Sequence, residues 1–358
     1  TYRFNLLKDK KYDESNYRIA ERIVKSLLWI YGGYKIIAGG CGYVANRLKQ
    51  EYCEGGKREF DARLMSRVYE KPFEVISVDY DSVPDTYEIA EKHTFSLDGC
   101  RIGFDAGGSD RKVSAVVDGK TVYSEEVLWL PKVNPDPEYH YSEILKSFKA
   151  AAERMPRVDA IGISSAGIYI NNQVKVASLF MSVPDDVFDK RVKNIYIDAA
   201  KEFGDMPLKV ANDGDVTALA GAMSLNTNKV LGIAMGTSEA GGYVDGGGCI
   251  RGWLNELAFV PVDFNEDALV DPWSGDIGCG VNYFSQDAVI KLAALCGLEL
   301  EGDTPAKKLK SAQEMLENGV EKAQWIFEDI GTYLAHSLAY YFKFYDVNQV
   351  LILGRESS

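Results

Sequence analysis

Three short segments carry the residue types that phosphate chemistry needs. The first is Asp105-Ala106-Gly107-Gly108-Ser109, followed closely by Arg111 and Lys112. Glycines let backbone N–H groups approach a phosphate with no Cβ in the way, and an acidic residue at a strand end can hold a hydrated Mg²⁺. Ser109 adds a hydroxyl donor, and Arg111 or Lys112 can add positive charge. Taken alone, the same residues also describe an ordinary glycine hairpin. The second segment, Gly236-Thr237-Ser238-Glu239-Ala240-Gly241-Gly242, is another glycine turn, suited to the other end of a nucleoside triphosphate. Glu239 is awkward there, because a carboxylate beside phosphate is repulsive unless Mg²⁺ or a lysine intervenes. It is expected to point away from the nucleotide. The third segment, Asn212-Asp213-Gly214-Asp215, ends the apolar run Leu208 to Ala211. An Asp in that position can accept the proton of a substrate hydroxyl and make its oxygen nucleophilic toward a γ-phosphate, so Asp213 is the candidate base. The competing reading makes one of Asn212, Asp213 or Asp215 the cap of the helix that follows. Both readings hold together if Asp215 caps and Asp213 is free.

The elements that must position these segments repeat. Arg101 to Asp105, Lys112 to Val117 and Thr121 to Tyr123 read as strands joined by the first glycine turn and an Asp118-Gly119 turn. A helix at Ser142 to Arg154 and a buried strand at Ala160 to Ser164 follow. The order recurs at Val230 to Met235, the second glycine turn, Tyr243-Val244, a turn at Asp245 to Gly248, and Cys249-Ile250. Helical spacing at Val216 to Met223, Ser285 to Cys296 and Ala323 to Phe344, with a last strand at Gln349 to Leu353, completes it. The repetition predicts two similar α/β lobes, residues 99–225 and 226–358, with a cleft between them as the natural site. Residues 1–98 read as an accessory α/β domain with helices at Glu21 to Trp29 and Tyr43 to Tyr52. Its strands are Tyr34 to Ala38, ending in Gly39-Gly40, and Phe73 to Val78, and Pro84 to Asp98 is a polar linker.

The composition narrows the partners. The chain has 358 residues, 46% hydrophobic and 26% charged, which excludes a largely disordered chain. Lys and Arg number 40 against 53 Asp and Glu, a net charge of −13, which repels nucleic acid. No apolar run reaches the length of a membrane span. Six cysteines stand without a Cys-x-x-Cys pair, and His93, His140 and His336 have no metal-ligand spacing. Reduced thiols and a cytoplasmic location are expected, with each His on the surface or satisfied in the core.

From about Cys100 onward the chain resembles the ROK family of the actin-like, sugar-kinase ATPase superfamily. DAGGSDRK at 105–112 looks like that family's first phosphate loop, NDGDVTALAG at 212–221 its catalytic Asp segment, and GTSEAGG at 236–242 its second phosphate loop. GISSAGIY at 162–169 looks like its glycine-containing strand and turn. The resemblance implies a two-lobed, ribonuclease H-like α/β fold and an ATP-dependent kinase acting on a hydroxyl of a sugar or polyol. It implies ATP and Mg²⁺ on Asp105, Gly107, Gly108, Ser109, Lys112, Gly236 and Thr237, with Gly354 in the adenosine-contacting turn. Asn212, Asp213 and Glu256 would contact the sugar, and a homodimer is compatible with the family. The departures matter equally. The family's Glu followed three residues later by His appears as Glu256-Leu257-Ala258-Phe259, and Val281 stands at the place of a further sugar-binding Glu. Of the Cys-rich zinc stretch only Gly275 and Gly278-Cys279 remain, so no zinc site is expected. A rebuilt pocket could draw on Trp253, Asn255, Trp273 and Asp276. The alternative function is a non-catalytic sugar- or nucleotide-binding regulator of the same fold. A DNA-binding repressor is disfavoured by the charge and by the lack of a helix-turn-helix in residues 1–99.

Overall fold

The chain opens on a long amphipathic helix, α1 (Asp13–Tyr31), which extends beyond both ends of the expected Glu21 to Trp29. Tyr17, Ala20, Leu28 and Trp29 are buried along it, and it stops at Gly32, whose φ of 81° other residues rarely adopt. There follow β1 (Lys35–Gly39), α2 (Gly42–Glu51), α3 (Glu59–Tyr69) and β2 (Glu74–Val78), with β1 and β2 paired in parallel. The helix α3 is absent from the sequence reading. Its buried stripe of Ala62, Met65 and Val68, at helical spacing, lies among charged residues.

The computed structural model describes residues 1–86 and 98–354, and the chain forms two compact units, one of residues 92–217 and one of 1–91 with 218–358. His93 and most of the expected linker lie outside the described residues.

The first of these units is built on β3 (Cys100–Ala106), β4 (Asp110–Val117) and β5 (Lys120–Leu128), then α4 (Pro137–Ala152) and β6 (Ala160–Ser165). A hairpin of β7 (Ile168–Ile170) and β8 (Gln173–Val176), a single turn α5 (Asp185–Val187), α6 (Ile195–Lys201) and β9 (Leu208–Asn212) follow. The main sheet has the order β5-β4-β3-β6-β9, with β3, β6 and β9 parallel and β4 and β5 antiparallel to their neighbours. Burial alternates along β3, so Cys100, Ile102, Phe104 and Ala106 face one layer of core. There they meet Ile144 and Phe148 of α4, and the Phe148 ring stands edge-on to Phe104 at 5.3 Å.

The last long connection is α7 (Asp213–Leu225), which begins in this unit and ends in the other. The other unit adds β10 (Val230–Met235), β11 (Glu239–Val244), α8 (Gln286–Leu295), α9 (Pro305–Glu317), α10 (Glu321–Tyr341) and β12 (Gln349–Gly354). Its sheet order is β11-β10-β12, with β10 antiparallel to β11 and parallel to β12. Gly232 in β10 lets α7 pack closely, since a Cβ there would come to 3.0 Å from Cβ of Ala218. The strand expected at Cys249-Ile250 is reduced to a single bridge from Ile250 to Val244. The cause is local: the Asp245 carboxylate takes the N–H groups of Gly247 and Cys249, both at 2.8 Å, and winds the chain into a tight turn.

Residues 1–91 share a unit with 218–358, whereas the sequence reading sets 1–98 apart as an accessory domain; the unit boundary also falls inside α7, not at 225/226. The physical reason is a buried ionic cluster. Asp276 meets Lys25 at 2.6 Å, Arg58 at 2.6 Å and Arg22 at 3.0 Å. Glu21 and Asp61 complete it, through Arg58 at 2.5 Å and Lys25 at 3.6 Å respectively. All six side chains are at most 5% exposed. Three cations balance three anions, which is the condition under which charges are tolerated out of water.

Candidate functional site

In the unit of residues 92–217 the three parallel strands end level with one another: Ala106 lies opposite Ser165, and Ser165 opposite Asn212. The first glycine turn, the Ala166-Gly167 turn and Asp213 therefore leave from one sheet edge. Carboxyl ends of parallel strands are where open α/β sheets bind ligands. The first turn is pinned by Trp129, whose indole N–H donates to the Gly107 carbonyl at 2.8 Å and whose backbone N–H donates to that of Ser109 at 3.1 Å. Asp105 is half-buried on the outer face of β3, in register with Lys112 on one side and Ser164 on the other. Lys112 is exposed and pairs with Asp110 at 3.3 Å. Arg111 is withdrawn from the turn: it is buried and bonds Glu143 and Ser147 of α4.

At the end of β9, Asn212 supplies a cap. Its Oδ1 accepts the Gly214 N–H at 2.8 Å while its amide donates to the Gly167 carbonyl at 2.8 Å. Asp213 Oδ1 shares the Gly214 N–H at 3.0 Å. Burial, and then the charge of Asp105, push the Asp213 carboxyl above the usual range, while the Gly214 N–H pulls the other way. A carboxylate made more basic at a strand end is fit to take a proton. The sequence reading misses the hydroxyl network behind this edge. Buried Ser165 receives the hydroxyls of Tyr169 at 2.7 Å and Tyr196 at 3.3 Å. Ser165 and Tyr169 fall inside the 162–169 motif, but no sequence signal marks Tyr196.

In the other unit, Gly236 and Thr237 follow β10 directly, and Met235 is level with Gly354 at the end of β12. Gly354 has a φ of 129°, and a Cβ there would come to 1.7 Å from the Met235 carbonyl oxygen, so only glycine fits. Gly236, Thr237 and Gly354 thus come together at the carboxyl ends of a parallel pair. The Gly236 carbonyl takes the N–H of Gln286 at the start of α8, at 2.9 Å. Glu239, which begins β11, is 3% exposed and turned into the interior, where Tyr341 OH lies 3.4 Å from Oε1. Burial pushes its carboxyl up to about 8, so at neutral pH it is largely uncharged.

Glu256 is half-buried, with its N–H on the Trp29 carbonyl at 3.1 Å, just before the helical turn Leu257–Phe259. Phe259 stacks on Trp29 at 4.2 Å, so the place where the family pattern has His is filled by the N-terminal helix. Three of the four residues from which a rebuilt pocket could draw, Trp253, Asn255, Trp273 and Asp276, are engaged within the fold. Asp276 is consumed by the ionic cluster, Asn255 is buried on Tyr345 OH at 2.9 Å, and Trp253 is wedged against Tyr31 and Tyr243. Trp273 is 67% exposed and belongs to no core.

Among the described residues no three His, Cys, Asp or Glu side chains gather as a metal set, and all six cysteines are free thiols. His140 is buried with its ring on the Asn134 carbonyl at 3.1 Å, and His336 is exposed. No described helix is long and apolar enough to cross a membrane.

The family model for the ROK family matches residues 101–356, most of the chain. No curated protein sequence matches it. Among solved structures, the ROK hexokinase from Thermus thermophilus aligns with a TM-score of 0.57 at 17% identity, over 72% of this chain and 82% of that one. A ROK family transcriptional regulator, a homolog of the E. coli MLC protein, gives 0.55 at 17%, over 73% and 67%. A ROK glucokinase from Streptomyces griseus, solved with glucose and AMPPNP, gives 0.51 at 22%, over 72% and 83%. At these identities the likeness carries the fold, and together with the extent of the family match it makes the chain a member of the ROK family.

Proposed function

We propose that the protein is an ATP-dependent kinase that transfers the γ-phosphate to a hydroxyl of a sugar or sugar-like polyol. The observation that carries this reading is Asp213, a carboxyl of raised basicity that leaves the same sheet edge as Asp105 and the first glycine turn. Asp213 would take the proton of the acceptor hydroxyl on a carboxylate oxygen, while Asn212, fixed by Gly167 and Gly214, holds the segment in place. In the unit of residues 92–217 the backbone N–H groups of Gly107, Gly108 and Ser109 would meet phosphate; in the other unit those of Gly236 and Thr237 would do so, and Gly354 would meet the adenosine. Asp105 forms no ion pair among the described residues, and its hard carboxylate oxygen suits Mg²⁺ held through water. When bound, that ion neutralises charge on the phosphate oxygens.

A second reading, a sugar- or nucleotide-binding regulator, is favoured by one specific feature: Phe259 against Trp29 removes a sugar-contacting position of the family pattern. Transfer from Mg-ATP to a panel of sugars and polyols separates the two. The kinase reading expects turnover by the parent chain and, in Asp213→Asn, a loss of at least about a hundredfold with nucleotide binding retained. Sugar binding without any transfer by the parent chain supports the regulator. A cytoplasmic location and a homodimer are part of the same proposal, the latter checked by light scattering.

A further inference from the structure

We propose that Lys132 is the cation that meets phosphate at the first glycine turn; the assignment rests on the nucleotide reading above. Lys132 belongs to the short helical turn Pro131–Val133 that follows β5. That turn is fixed from two sides, by the buried Pro131 and by Ser182, whose hydroxyl donates to the Lys132 carbonyl at 2.5 Å. The side chain then runs over Gly108. A Cβ at Gly108 would lie 2.9 Å from Lys132 Cε and 3.1 Å from its Nζ, so the glycine supplies the room that the lysine occupies. The ammonium is held beside the backbone on which a phosphate would sit.

The neighbouring cations are already committed. Arg111 is buried on Glu143 and Ser147, and Lys112 is paired with Asp110. Lys132 makes no ion pair among the described residues, although the same region carries Asp105, Asp110 and Asp213. A polyphosphate arriving at an edge so rich in carboxylates needs a compensating positive charge, and Lys132 is the side chain positioned to give it. Its head is exposed, so replacing it removes charge without opening a core.

The test is calorimetric titration of the full chain with a non-hydrolysable ATP analogue plus Mg²⁺, and separately with adenosine, for the parent, Lys132→Met and Lys132→Arg. Lys132→Met should weaken the analogue at least about tenfold and leave adenosine and the melting temperature unchanged, with Lys132→Arg recovering most of the loss. Unchanged analogue affinity in Lys132→Met overturns the assignment and leaves the nucleotide reading standing. Equal weakening of adenosine and analogue also overturns it, since that is what a covering side chain would do. A parent chain that binds neither ligand overturns the nucleotide reading and this assignment with it.

Discussion

The two glycine turns solve the same backbone problem on unlike supports. The first stands where three parallel strands end, over an apolar core, with the half-buried Asp105 beside it and Asp213 leaving the same sheet edge. The second stands where two parallel strands end, and its acid, Glu239, is buried and largely neutral. Its unit is braced from the N-terminal side by a cluster of ion pairs rather than by a wider sheet. The difference teaches that an acidic residue beside a glycine turn is not one kind of residue. Burial separates the half-buried Asp105 from Glu239, which is packed in the interior.

That contrast can be broken, and the largest effect should come from the brace. Asp276→Ala leaves Lys25, Arg22 and Arg58 without their shared anion, and removal of one partner from a buried set costs about 3–5 kcal/mol. Urea unfolding should register it; a loss below about 1 kcal/mol would mean that the apolar contacts of α1 suffice. Next comes Gly354→Ala, which must place a side chain at a φ of 129° and displace the Met235 carbonyl, with a loss of about 2–3 kcal/mol and weaker nucleotide binding. Unchanged stability there would show that β12 ends differently.

Glu239 sharpens the comparison through pH. The folded chain keeps a proton up to about 8 that the unfolded chain releases near 4.3, so stability should fall as pH rises through that window. The slope contributed by this one group is about 1.4 kcal/mol per pH unit. Glu239→Gln should flatten the decline between pH 5.5 and 7.5 (roughly the middle of that window) without loss of phosphate binding. A decline of the same slope in the variant would assign it to other groups. The smallest effect belongs to Lys112→Ala at the first turn. Its pair with Asp110 is exposed, so stability should change by less than about 1 kcal/mol, and thermal melting in low and high salt checks this.

Much of this was legible before any coordinates. Alternating burial made β3, β4 and β6 readable, and the strand of Val230 to Met235 ends where its apolar run ends. Asp105, Asp213 and the glycines stand out in the sequence because phosphate chemistry restricts residue types at fixed spacing, and the sheet brings Asp105, the first glycine turn and Asp213 to one edge. What stayed hidden depends on distant partners. Asp276 read as a pocket residue because nothing local reveals that Lys25 and Arg58 will meet it. Lys132 lies outside every motif and gains its place through Ser182. The Phe259 replacement was visible, but not the Trp29 ring that fills the space beside it.

The ionic cluster also constrains how such a chain can diverge. Glu21, Arg22, Lys25, Arg58, Asp61 and Asp276 balance only as a set, so a change at one position that alters charge leaves a buried excess. Among chains descended from a common ancestor with this one, these six positions should be inherited as a block or replaced in compensating pairs. Position 276 should covary with 22, 25 and 58 across a sequence separation of more than two hundred residues, whatever substrate each descendant has come to use.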